Sequence, residues 1–352
     1  MQSSLSAGTW PLLISRLSAV VDLEATAREF KAIQRRGKIR DAASLLRLIL
    51  MYAVGHLSLR ATAAAAEGVI ATLSDKAVEG RLRKSGDWLE HLLCCLLRHK
   101  ATVGSLSNLA LVDGTIIKPP GQGGQWRVHA RYDPALGRFA DLHLSPLATA
   151  EAVAHTMPDA GQTVITDRGY ARVRNFLEVL QSGADFLTRI GWRSLQLRDA
   201  HGQAFDLFAH LPQTADAVEH AVYIPGVKQP LRLILQRLPD GKQQRARKKA
   251  RRKSERSCHR LDPRTETAAG YLMLLTSLPA DKASPTRLVE MYGARWQIEL
   301  SFKRLKTLGG IDKLPSADPK LARTWLLAHL IVAVLNDELA GQIVGFSPSE
   351  TS

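Results

Sequence analysis

The chain has 352 residues, enough for about two or three domains with cores of their own, and its 48 basic against 33 acidic residues give a formal charge of +15. That excess favours a polyanionic partner, most simply nucleic acid, over a small-molecule substrate. Cys94, Cys95 and Cys258 form neither a disulfide framework nor a metal-ligand spacing, and no export signal or long uninterrupted apolar run is present, so a cytoplasmic protein without a membrane partner is expected.

Residues 1–103 read as a helical domain. "DAASLLRLILMYAVGH" has apolar residues at helical spacing behind Asp41, and a second helix follows Ser58. A third, from Ser74 to about His99, carries Lys76, Arg81, Arg83 and Lys84 near its start, a pattern suited to docking on DNA.

From residue 104 the period changes. "NLALVDGTII" reads as a strand, and "QWRVHARYDPALGRFADLHLSPL" as a hairpin in which His129 faces His143. A short helix "ATAEAVAHTM", a buried strand "QTVIT", a helix "RVRNFLEVLQSG" and a strand "ADFLTRIG" complete an order β-β-β-α-β-α-β. That is the ribonuclease-H-like order, an α/β fold with a mixed sheet and flanking helices, and 104–190 are its first part.

Residues 191–270 read as a β-rich insertion, with hairpin candidate "SLQLRDAHGQAFDLF" and strand "LRLILQRL". Its run "GKQQRARKKARRKSERS" has nine basic residues and one glutamate, net +8, and is taken as an arm whose Lys248, Lys249, Arg251 and Arg252 contact DNA phosphate; a solvated run is the plain alternative. Trp192 is expected in the core or on an edge strand. Residues 271–340 form the second part of the core, opening on the strand in "AAGYLMLLTSLP", and 341–352 read as a polar tail.

Read as one helix, "YGARWQIELSFKRLK" puts Tyr292, Arg295, Glu299 and Lys306 on a stripe roughly 60° wide, bordered by apolar residues on both sides. Trp296 and Phe302 read as packing residues. A polar stripe in that setting calls for a charged partner. Asp113 and Asp167 end the first and fourth strands, which are neighbours in a ribonuclease-H-like sheet, and Glu299 supplies a third carboxylate. Three such groups repel one another unless cations sit among them, and hard oxygen donors suit magnesium or manganese. A two-metal site for in-line displacement at phosphorus answers the pattern, with Tyr292, Arg295 and Lys306 holding phosphate.

At these residues the sequence resembles a known family. Tyr292, Arg295, Glu299 and Lys306 are similar to the Tyr-x2-Arg-x3-Glu-x6-Lys signature of the DDE transposases of bacterial insertion sequences, the insertion sequence four family. "VDGT" and "TDRGY" resemble the contexts of its two catalytic aspartates. The resemblance spans roughly residues 30 to 340. It implies Asp113, Asp167 and Glu299 as a metal-binding catalytic triad, with Mg2+ or Mn2+, two ions in all. Arg168, Gly169 and Tyr170 would shape the second-aspartate turn and touch the DNA backbone. It further implies cleavage at the terminal inverted repeats of a transposon, joining of the freed 3′-hydroxyl to target DNA, and a homodimer holding two ends. The alternatives are a ribonuclease-H-like nuclease that does not join strands, and a non-catalytic DNA-binding derivative.

Overall fold

The computed structural model describes residues 9–34, 37–102, 108–121, 125–258 and 260–345. They fall into two compact units. The first holds residues up to Leu106, Gly114–Ala150 and the chain from Leu300; the second holds Ser107–Asp113 and Glu151–Glu299.

The first unit opens with helices α1 (Thr9–Ser18), α2 (Leu23–Glu29), α3 (Ala42–Ala53), α4 (Leu59–Ala66), α5 (Asp75–Leu82) and α6 (Gly86–Thr102). The predicted caps hold: Asp41 accepts from Ser44 N at 2.6 Å, Ser58 from Ala61 N at 3.2 Å and Ser74 from Ala77 N at 3.2 Å. The third predicted helix is two. The chain breaks at Arg83–Ser85, where Gly86 disfavours continuation and the Ser85 carbonyl starts a new helix by accepting from Leu89 N. Arg83 is drawn into ion pairs with Glu79 and Asp318.

Strand β1 (Leu109–Ile117) runs through both units, and β2 (Trp126–Asp133) and β3 (Arg138–Pro146) form the predicted antiparallel hairpin, with His129 opposite His143. In the second unit come β4 (Thr163–Thr166), helix α7 (Val173–Gln181), β5 (Asp185–Arg189), β6 (Val218–Val222), β7 (Leu231–Arg237), helices α8 (Asp240–Arg256) and α9 (Pro263–Ala268), β8 (Tyr271–Thr276) and helix α10 (Pro285–Gly293). Helix α11 (Trp296–Thr307) crosses the boundary after Glu299, and α12 (Pro319–Gly345) closes the first unit. The strand order is β3-β2-β1-β4-β5-β8-β7-β6. β1, β4 and β5 are parallel; β8, β7 and β6 continue antiparallel. The mixed sheet and flanking helices are the ribonuclease-H-like arrangement read from the sequence. In the second unit its core is Val112, Val164, Phe176 and Phe186, the two rings stacked with centroids 4.4 Å apart.

Four expectations need correction. Before Pro158 the stretch "ATAEAVAHTM" forms only a 3-10 turn, Val153–Thr156, because the residue preceding a proline is disfavoured in helix. The hairpin at 194–208 shrinks to bridges from Arg198 to Ala204 and Tyr223; the Asp199 carboxylate accepts from His201 N and Gln203 N and closes a tight turn. The insertion is mixed rather than β-rich: its strands β6 and β7 extend the main sheet alongside β8, and its basic run is the 17-residue helix α8. Lys, Arg, Gln and Ala are good helix formers, and Asp240 in the first turn complements the dipole. Finally, the predicted polar tail begins inside α12, which reaches Gly345; residues 346–352 lie outside the described residues.

Candidate active site

The chain from 292 to 306 is not one helix. α10 ends at Gly293, a poor helix former, and α11 begins at Trp296. Ala294 and Arg295 make a tight turn, their N–H groups donating to the carbonyls of Met291 and Tyr292. The helical stripe therefore does not exist as drawn, yet the break brings most of its residues to one place.

The register of the parallel strands explains where. Val112 of β1 pairs with Thr166 of β4, so Asp113 and Asp167 follow side by side where the pairing of the two parallel strands stops. Asp167 lies just past β4 as expected, whereas Asp113, expected at a strand end, lies in the middle of β1, which runs on to Ile117. Tyr292 reaches in from α10, its hydroxyl donating to Asp167 Oδ1 at 3.3 Å. Arg295 lies between the other two carboxylates: Nη2 donates to Glu299 Oε1 at 2.6 Å, and Nη1 is 3.7 Å from Asp113 Oδ2. Its guanidinium also stands 5.7 Å from the centre of the Tyr292 ring. Asp113, Asp167, Glu299, Tyr292 and Arg295 thus converge within the second unit.

Charge and burial are uneven across the site. The side chain of Arg295 is 14% exposed and that of Glu299 54%. Burial opposes the charge on Arg295, but Tyr292, Glu299 and Asp167 outweigh it and raise its pKa. Burial, reinforced by Asp167, raises the Tyr292 phenol, with Arg295 and Arg189 pulling the other way, so it stays a donor at neutral pH. Partial burial of its guanidinium and the like charge of Arg189 lower Arg168, against Asp167 and Tyr292.

Arg189 was not found from the sequence. Thr166 of β4 pairs with Thr188 of β5, their hydroxyls 2.7 Å apart, so the next residues, Asp167 and Arg189, leave adjacent strands together. Its Nε is buried with no hydrogen-bond partner, as is Nε of Arg295. Guanidinium donors crowded beside Arg168 and left unbonded suit an anion. The signal was present in "VITDRG" and "FLTRIG", two short buried strands each ending in a charged residue, but the pairing register was needed to read it.

The other predicted residues divide. Tyr170 is 2% exposed and packs in the core of the second unit, so the exposed position expected of a residue touching DNA is not found for it. Arg168 is exposed beside Asp167. Lys306 belongs to the first unit, where its Nζ donates to the Ile116 carbonyl at 3.2 Å. Lys248, Lys249 and Arg252 are exposed on α8, whereas Arg251 is paired with Glu266 of α9. Trp296, expected to pack, is 55% exposed at the start of α11; Phe302 is buried against Phe139 as expected. His129 bonds Ser145 within the sheet, and Trp192 donates to Thr265 and packs on the core, both as expected.

The donor set suits a hard divalent cation, being all carboxylate, and two of its members already share a cationic group. In their present rotamers no three acidic, His or Cys side chains among the described residues stand close enough to hold an ion. Nor is any helix among them long and apolar enough to cross a membrane.

Comparison with known proteins agrees with this geometry. The family model described as "Transposase DDE domain" matches residues 104–335. The putative transposase InsL for insertion sequence element IS186A of Escherichia coli (strain K12) is 36% identical over 96% of each chain. The transposase for insertion sequence element IS421 of Escherichia coli is also 36% identical over 96% of each. The transposase for insertion sequence element IS231F of Bacillus thuringiensis subsp. israelensis is 23% identical over 89% of this chain and 76% of its own. With the family model covering residues 104–335 and relatives 36% identical over 96% of the chain, the chain belongs to the DDE transposases of bacterial insertion sequences, metal-dependent enzymes that cut and join DNA in transposition.

Proposed function

We propose that Asp113, Asp167 and Glu299 are the catalytic carboxylates and metal ligands of this transposase. The observation that carries the reading is the guanidinium of Arg295 spanning Asp113 and Glu299 while Tyr292 bonds Asp167, so that signature residues from one break between helices meet both aspartates. Bound divalent ions, two in this reading and magnesium or manganese by the hardness of the donors, supply nucleophile activation and stabilisation of the leaving oxygen.

The chain's own residues do the rest. Arg168, Arg189 and Arg295 of the second unit hold phosphate oxygens of the transposon end with planar forks of donors, and Lys306, on the first unit, offers phosphate a point charge. Tyr292 fixes the Asp167 carboxylate. Holding the phosphodiester in line with water, and then with a freed 3′-hydroxyl, supplies most of the acceleration, because phosphoryl transfer is chiefly positioning and charge stabilisation. The DNA is the terminal inverted repeat, then the target duplex. Residues 1–103 and the exposed cations of α8 grip the duplex, and a homodimer at the nucleoid holds two ends.

The test uses labelled DNA spanning the junction of the element with its flank, incubated with Mg2+ or Mn2+. Wild type is expected to cut at one defined position and join the product to a target; Asp113→Ala and Glu299→Ala are expected to bind and not cut. Cutting that survives either substitution removes the assigned triad, and cutting without joining leaves a nuclease.

A further inference from the structure

Arg295 has turned its donors inward. A guanidinium that serves only phosphate would aim its fork at the approaching backbone, but here one Nη is bonded to Glu299 and the other faces Asp113. The helix break makes this possible. Arg295, just before α11, and Glu299, in its first turn, are four positions apart, close enough for a short ion pair, while the arginine also faces Asp113 of β1. In the absence of an ion the two carboxylates need such a counter-charge.

The same oxygens cannot serve an ion and the guanidinium together. Glu299 is the weak point: its side chain is 54% exposed, and its rotamer is set by the Arg295 contact. Once Glu299 is taken by a divalent ion, Arg295 loses its closest partner, while its buried Nε already has none. A DNA phosphate would satisfy all of these donors at once. We infer that Arg295 is an exchangeable counter-ion: in the DNA-free protein it occupies Asp113 and Glu299 and weakens divalent-metal binding, and DNA phosphate strengthens that binding by drawing the guanidinium away. By linkage, metal must strengthen DNA binding by the same factor. The device keeps a DNA-cutting site unloaded until its substrate arrives. It rests on the assignment of these carboxylates as metal ligands.

The experiment titrates Mn2+ into the full-length protein without DNA and reads free Mn2+ by electron paramagnetic resonance. Arg295→Gln is expected to bind Mn2+ about tenfold tighter than wild type, the worth of one charge-assisted contact. Arg174→Gln removes the same charge from an exposed side chain that pairs with Glu178 instead, and is expected to change affinity by less than about twofold. A duplex carrying the element's end, corrected for its own Mn2+ binding, should tighten wild type and leave Arg295→Gln unchanged. Equal affinities for wild type and Arg295→Gln overturn the inference, as does equal tightening by Arg174→Gln. Asp113→Asn separates the two levels: if it abolishes Mn2+ binding while Arg295→Gln changes nothing, only the counter-ion role falls; if binding survives it, the metal-ligand assignment falls too.

Discussion

Arg189 shows how a single side chain gains meaning from its neighbours. It ends β5 one position after the Thr188–Thr166 hydroxyl contact, beside Asp167 and Arg168. Two guanidinium groups crowded together raise the energy of the free protein and lower that of a complex in which phosphate lies between them. Arg189→Ala is expected to slow single-turnover cleavage of a labelled end by about tenfold to a hundredfold, with Arg189→Lys recovering part of the loss. A residue that merely packed would instead lower the melting temperature and leave the cleavage rate per folded molecule unchanged. Tyr292 is a milder case. Its hydroxyl bond to Asp167 is long, 3.3 Å, while its ring lies under Arg295. Tyr292→Phe should therefore cost less than about tenfold in the same assay and Tyr292→Ala clearly more. Equal losses for the two would assign the whole effect to the hydroxyl bond to Asp167 and remove the ring's contact with Arg295 from the mechanism.

At the scale of elements, α8 is the informative case. Gln243 is buried on one face, its side-chain amide donating to the Leu238 carbonyl, and Arg251 is tied to Glu266 of α9. Lys242, Arg245, Lys248, Lys249, Arg252 and Arg256 are exposed. One face thus anchors the helix and the other presents charge, so the basic residues are not equivalent. Replacing Lys248, Lys249 and Arg252 by alanine should flatten the plot of log affinity against log salt by about 0.9 for each phosphate that the variant no longer neutralises. Arg251→Ala, by contrast, should loosen α8 with a smaller change of slope, and an unchanged slope in the triple variant would take α8 out of the interface. The strands leading into Asp113 and Asp167 were legible because each carboxylate follows a short run of buried aliphatics, but the continuation of β1 past Asp113 to Ile117 was not. The helix in the basic run was not, since charge density argues for solvation while Lys, Arg, Gln and Ala argue for helix. Only the anchoring contacts with α9 decide between them. The break after Gly293 was carried by that glycine, but the regular spacing of Tyr292, Arg295 and Glu299 hid it. Arg189 could not be read at all without the β4–β5 register.

For the molecule as a whole, charge and stability separate. The basic run of α8 carries +8 of the +15, leaving +7 for the rest of the chain (15 − 8), so more than half of the net charge sits on one helix. Stability against acid depends on a quite different place, the first unit, where α12 packs on α3 and α6. There His329 is 3% exposed, its ring 3.8 Å from that of Trp325 and 5.5 Å from that of His56. Its Nδ1 donates to the Trp325 carbonyl at 2.9 Å, and Nε2 is buried with no partner. Burial, together with His56 and against the Trp325 carbonyl, lowers its pKa to about 4. The folded state therefore binds the proton less readily than the unfolded chain, in which a histidine titrates at its ordinary 6.5. The stabilisation is complete above pH 6.5 and is lost as pH falls toward about 4, at roughly 1.4 kcal/mol per pH unit across that window. Urea unfolding of wild type at pH 7 and at pH 5 should show this loss. His329→Leu, which has nothing to protonate at that position, should lose distinctly less between the same two values, whatever its stability at pH 7. If both proteins lose stability in parallel, the acid sensitivity of the fold lies elsewhere and the buried ring of His329 is a packing residue alone.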